Sequence, residues 1–205
     1  MNSLAALKIL QTMGAPIIQT IEAACKLGLS NAHASQVLRR LALGKHIIHL
    51  SRGLWAVDPQ VHPFLIPEYF TAPFPAYVSL QTALYHHDMI NQIPRIITVV
   101  SLGRTRRVET PLATISVHQI APEWFFGYDF DPQTGVKLAT PEKALLDIFY
   151  LRPAKSLWFK SLPEVELPES FDEKKAFAMI KKIPSPVRRT VVRDALKALL
   201  KRNSK

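Results

Sequence analysis

The chain has one cysteine, seven glycines and no long apolar run, and each shortage closes off a class of protein. With Cys25 alone, no disulfide framework exists within the chain. A catalytic thiol needs a basic activator, which the residues around Cys25 do not offer, so its apolar helical setting predicts a buried small hydrophobe. Seven glycines leave little from which to build a phosphate cradle, and neither GxGxxG nor GxxxxGK[ST] occurs. No cofactor is expected. No apolar stretch approaches the ~18 residues of a membrane span, and the N-terminus lacks the charged-then-apolar pattern of a secretory signal. The expectation is a cytoplasmic protein with no membrane partner.

Positive charge, by contrast, is plentiful and unevenly spread. The 205 residues carry a formal net charge of +10, divided as +5 over residues 1–57, −3 over 58–171 and +8 over 172–205. Two basic ends flanking a mildly acidic middle are the electrostatic footprint of a nucleic-acid binder, since neutralising phosphates releases condensed counterions. Hydrophobic residues make up 48% of the chain, enough for ordinary globular cores, and the length suits two domains.

Periodicity places three helices in the first 57 residues. "SLAALKILQTMG" carries Leu4, Leu7 and Leu10 at helical spacing and ends at Gly14. "APIIQTIEAACKLG" opens with Pro16 at a first-turn position and places Ile17, Ile21, Ala24 and Cys25 on one face. In "LSNAHASQVLRRLALG", Ser30 is the expected N-cap and Ala34, Val37, Leu38 and Leu41 form the inward stripe. "IIHL" and "LWAV" around "SRG" read as a hairpin. Three helices followed by a hairpin predict a winged helix-turn-helix over 1–57. Residues 58–76 contain prolines at 59, 63, 67, 73 and 75 and are expected to form a connection without regular structure.

The remainder, 77–205, mixes helical and strand patterns. "RIITVVS" and "ATISVHQI" read as strands, "SLQTALYHHDMI" as a helix capped by Ser79, and "TPEKALLDIFYL" as a helix capped by Thr140 with Pro141 in its first turn. "SFDEKKAFAMIKKI", with a Ser170–Glu173 capping box, and "SPVRRTVVRDALKALLKR" read as amphipathic helices. The fold class expected is therefore α+β: a winged helix-turn-helix domain followed by a mixed α/β domain ending in amphipathic helices.

Docking by a winged helix puts the outward face of its third helix in the major groove. The inward stripe leaves Asn31, His33, Ser35, Gln36, Arg39 and Arg40 available, with amide and guanidinium groups suited to pairing with adenine and guanine. Lys45 and the hairpin-tip Arg52 are placed for phosphate, where they set register without reading sequence. The competing reading is a solvated helix face on a protein–protein module.

Beyond the hairpin, catalytic signals fail one by one. Adjacent His86 and His87 in "HHD" point to different faces of a helix and find no further ligand pair. "PEK" at Pro141, Glu142 and Lys143 sits at a helix start, where Glu142 favours the helix dipole. No nucleophile, base and stabiliser come together, so an enzyme is not expected. What stands out is basic. Arg104, Arg106 and Arg107 fall in an expected hairpin loop, and the last helix is expected to turn Val187, Val191, Ala195, Leu196, Leu199 and Leu200 inward. Its Arg188, Arg189, Arg193 and Lys197, followed by Lys201 and Arg202, would then face outward, toward nucleic-acid phosphate or solvent.

Four stretches carry a likeness to a known family: Tyr77–Leu84 ("YVSLQTAL"), Ile93–Arg107 ("IPRIITVVSLGRTRR"), Phe125–Gly127 ("FFG") and Leu138–Leu151 ("LATPEKALLDIFYL"). Together with the N-terminal pattern and the proline-rich bridge, they resemble the AbiEi family of antitoxins from type IV toxin–antitoxin systems. That resemblance implies an N-terminal domain that binds inverted repeats in double-stranded DNA of its own promoter and represses it. It also implies a C-terminal domain that counteracts a nucleotidyltransferase-like toxin without requiring a stable complex. Action at the toxin's target makes RNA a further candidate partner, and gives the basic loop and last helix a use. The alternative is a stand-alone transcriptional regulator whose C-terminal domain senses a ligand or mediates assembly.

Overall fold

The computed structural model describes residues 2–152 and 164–203, so the part of the predicted 77–205 domain spanning 153–163 lies outside the described residues. The protein is α+β, with eight α-helices and two sheets among the described residues. It divides into two compact units, Met1–Tyr69 with Glu109–Ala113, and Phe70–Val108 with Thr114–Lys205.

The first unit runs α1 (Ser3–Gln11), β1 (Ile17–Gln19), α2 (Thr20–Leu27), α3 (Asn31–Leu43), β2 (Ile48–Ser51) and β3 (Leu54–Ala56). Its sheet is antiparallel in the order β1-β3-β2, with Ile17 and Ile48 both opposite Ala56. The core joins Ala6 and Leu10 of α1 to Ile18, Ala23, Val37, Leu38, Leu41, Ile47 and Trp55. On α3 the buried residues are Ala34, Val37, Leu38 and Leu41, and Ser30 Oγ accepts the His33 N–H at 3.3 Å, as the sequence pattern requires. The β2–β3 hairpin turns at Arg52–Gly53, where Gly53 takes φ +80°, a conformation without penalty only for glycine.

Two expectations about the second helix are corrected. Ile17–Gln19 is a strand, because its backbone groups pair with β3 and its two isoleucines both reach the core; helix begins only at Thr20, where Gln19 N–H donates to Glu22 Oε2 at 2.6 Å. Starting there shifts the helical phase: Ala23 and Ala24 face inward, while Ile21 and Cys25 are exposed. Cys25 is therefore not the buried hydrophobe its neighbours predicted. Within the proline-rich stretch, regular structure forms after all, as a 3-10 turn at Pro63–Leu65 and α4 at Ile66–Thr71. Pro63 and Pro67 both fall in first turns, where a missing N–H leaves no intrahelical bond unmade.

The second unit is built on a six-stranded mixed sheet, β6-β7-β5-β4-β9-β8. Its elements are β4 (Ala76–Val78), α5 (Leu80–His86), β5 (Ile97–Ser101), β6 (Arg106–Glu109), β7 (Thr114–Gln119), β8 (Tyr128–Phe130), β9 (Lys137–Ala139), α6 (Pro141–Leu151), α7 (Glu173–Ile180) and α8 (Pro186–Asn203). The central strand β5 is buried at every position, antiparallel to β4 and parallel to β7. Helix α6 is buried from Glu142 to Leu151, packing against α5, α7 and α8, so it forms the centre of the unit. Thr140 caps it as expected, but α7 is capped by Asp172, whose carboxylate accepts the Lys175 N–H at 3.0 Å, and not by Ser170.

Candidate nucleic-acid interface

Three elements of the first unit border a cleft of ≈ 600 Å³. Gln19, Thr20 and Ile21 come from the start of α2, Asn31, Ser35 and Arg39 from one row of α3, and His49, Arg52, Gly53 and Trp55 from the hairpin. The walls are held by specific bonds. Thr20 N–H donates to Gly53 O at 2.9 Å, and Trp55 Nε1 donates to Thr20 Oγ1 at 2.8 Å, which ties the first turn of α2 to the hairpin. The His49 ring lies 4.3 Å from that of Trp55. Two arginines and no carboxylate stand among the described residues lining the cleft, so it is set up electrostatically for an anion.

Of the residues predicted to meet DNA, the cleft brings together Asn31, Ser35, Arg39 and Arg52. His33, Gln36 and Arg40 are exposed on α3 outside it. Gln36 and Arg39 straddle the direction opposite the buried row, so they are the most outward polar side chains of the helix. Lys45 is exposed just past the end of α3. Gln19, Thr20 and His49 were missed: the first two were read as helix interior, whereas the alternation in β2, with Leu50 buried and His49 exposed, does mark His49 as outward-facing.

The basic residues of the second unit separate into two kinds. Arg104 is exposed in a loop, but Arg106 and Arg107 lie on β6, an edge strand, and not in the hairpin loop expected. Arginines on an edge also discourage pairing with another chain. On α8 the inward row is Val192 and Leu196, while Val187 and Val191 are exposed, which reverses two of the expected positions. Arg188 and Arg189 are half-buried ties: the Arg188 guanidinium lies 4.6 Å from the Tyr150 ring centroid, and Arg189 donates through Nε and Nη2 to Ile183 O at 3.0 and 2.7 Å. Arg193 and Lys197, with Lys201 one turn further, remain as an exposed cationic row at four-residue spacing.

Another set of polar residues of the second unit, Ser79, Glu142, Lys143 and Asp147, is inside. Lys143 and Asp147, one turn apart on α6, form an ion pair with both side chains at 0% exposure. Asp147 also accepts hydrogen bonds from Ser79 Oγ at 2.7 Å, Tyr77 OH at 3.0 Å and Trp124 Nε1 at 2.8 Å, and Lys143 Nζ sits 4.0 Å from the Trp124 ring centroid. Burial pulls the Lys143 ammonium down to about 8 against the opposing hold of Asp147, and burial with the Asp147 charge pushes the Tyr77 phenol up. Gly127, the glycine of "FFG", takes φ +78° and lies against this pair: a Cβ there would stand 3.1 Å from Lys143 Cγ.

Glu142 does more than favour the helix dipole. Its carboxylate accepts from Thr140 Oγ1 at 2.7 Å and Asp172 N–H at 3.1 Å, and pairs with Lys175 at 2.9 Å, tying α6 to the start of α7. Burial raises its pKa, and these bonds, together with its own backbone N–H, outweigh burial and leave it lowered. His87 Nε2 is 2.7 Å from Ala139 O, which joins the end of α5 to β9. No group of metal-binding side chains occurs among the described residues, and none of their helices is long and apolar enough to cross a membrane. No protein-family model and no curated protein matches the sequence.

Proposed function

We propose that this chain is a DNA-binding antitoxin and repressor of its own operon, with the first unit acting as a winged helix-turn-helix. In that reading α3 enters the major groove of double-stranded DNA, the β2–β3 hairpin is the wing, and Arg52 at its tip meets phosphate. The carrying observation is the cleft, in which one row of α3 and the hairpin turn place Asn31, Ser35, Arg39 and Arg52 around one anion-ready surface. The element order helix, strand, helix, helix, strand, strand supports the assignment. The antitoxin half rests on the likeness to AbiEi-family stretches; there the second unit counteracts a nucleotidyltransferase-like toxin, with the exposed Arg104, Arg106, Arg107, Arg193 and Lys197 as the surface for the toxin's nucleic-acid target, RNA included.

Two measurements test the two halves. The full chain should bind a duplex from upstream of its own gene far more tightly than a random duplex, with affinity falling steeply as salt rises; equal affinity for both removes the repressor. Expression of the adjacent reading frame should arrest growth, and co-expression of the full chain should restore it. A harmless neighbour, or arrest that persists, removes the antitoxin and leaves a stand-alone transcriptional regulator.

A further inference from the structure

Ile21 is 61% exposed although it is a large aliphatic residue, and its place in the fold gives it nothing to do in the core. Ala23 and Ala24 supply the buried side of α2, and an exposed β-branched residue adds little to helix formation. Its location is nevertheless well fixed. The preceding Thr20 is held to Gly53 through its N–H and to Trp55 through its hydroxyl, and a β-branched side chain has little χ1 freedom to lose. Ile21 is also the one aliphatic side chain among the described residues lining the cleft, where it stands with Asn31, Ser35 and Arg39.

The major groove presents hydrogen-bonding groups on every base pair and one apolar group, the pyrimidine 5-methyl. We infer that Ile21 is a specificity-determining residue that packs on the 5-methyl group of a pyrimidine in the bound duplex. This rests on the DNA-binding reading of the cleft and adds to it an apolar contact beside the hydrogen-bonding ones. The polar row of α3 selects base edges, and Ile21 selects a methylated pyrimidine beside them. The methyl group has two sources, thymine and 5-methylcytosine, which differ in what the opposite strand must carry.

The test uses the full chain and the duplex it prefers from a randomised pool. Each thymine is replaced in turn by deoxyuridine, which removes only the methyl, and each cytosine by 5-methylcytosine; both series are bound by the wild type and by Ile21→Ala. The wild type should lose about fourfold in affinity at one deoxyuridine position, the factor for one buried methyl group. Ile21→Ala should start weaker and be indifferent to the same replacement, with an unchanged melting temperature. A gain confined to the wild type at one 5-methylcytosine supports the inference and assigns the methyl to cytosine. Insensitivity of the wild type to every replacement, or a methyl effect undiminished in Ile21→Ala, overturns the inference and leaves DNA binding standing. Failure of the wild type to prefer any duplex overturns both.

Discussion

The two units use polar residues in opposite ways. In the first, the amide, hydroxyl and guanidinium groups of α3 and the hairpin border an open cleft, and the core beneath is built of hydrocarbon and one hydrogen-bonded tryptophan. The second turns Ser79, Glu142, Lys143 and Asp147 inward, where each is matched by a partner, and no buried side-chain nitrogen or oxygen among the described residues is left unpaired. Polar side chains at the surface cost little stability to replace, whereas buried, partnered ones cost much. The buried polar residues around α6 hold the second unit together, whereas the cleft of the first presents its polar side chains to solvent.

Substitutions should expose that contrast, beginning with the ion pair. Lys143→Met leaves Asp147 charged and buried without its cation, at a cost of ~3–5 kcal/mol, to be read from denaturant midpoints. A loss below 1 kcal/mol would mean that Asp147 is held well enough by its three neutral donors. Gly127→Ala should cost ~1–3 kcal/mol, since it combines a positive φ with a methyl group against Lys143. On the first unit, Gln36→Ala and Arg39→Ala should leave the melting point nearly unchanged. Each should cost ~1–3 kcal/mol in DNA binding and relax sequence preference, while Lys45→Ala and Arg52→Ala weaken binding to all sequences and flatten its salt dependence by about one unit of slope. Uniform effects of all four on specific and random DNA would contradict the division into base and phosphate contacts.

The effect of pH centres on His118, buried on β7 beside Ser116, whose hydroxyl is 2.9 Å from its Nε2. Burial lowers its pKa to about 4. The unfolded chain then takes up a proton that the folded chain refuses between its ordinary value and 4, so stability should fall as pH drops through that window. His118→Gln should remove that portion of the acid sensitivity in melts recorded from pH 7 to 4; an unchanged pH profile would show that other groups govern it.

Much of the fold was legible where one period dominated. The buried row of α3, its Ser30 cap, the hairpin glycine and the Thr140 cap of α6 follow from spacing and capping chemistry alone. Short strands were not legible. β1 is three residues long and reads as part of a helix until β3 is present to pair with it, and β4, β8 and β9 are equally brief. The outward face of α3 could be read because its inward face was clear. The share of the cleft contributed by Gln19, Thr20 and Ile21 could not, because it depends on where α2 starts, which tertiary pairing decides. For α8 the pattern misled: with valines and leucines on several sides, only packing against α6 and α7 selects Val192 and Leu196 as the buried row.

The most direct test of the account removes equal charge from each unit and measures binding of the full chain to its upstream duplex. Arg39→Ala with Arg52→Ala should lose at least about 10-fold in affinity, and Arg193→Ala with Lys197→Ala less than about threefold. Equal losses, or a larger loss from the α8 pair, would contradict the assignment of the cleft as the surface that reads DNA.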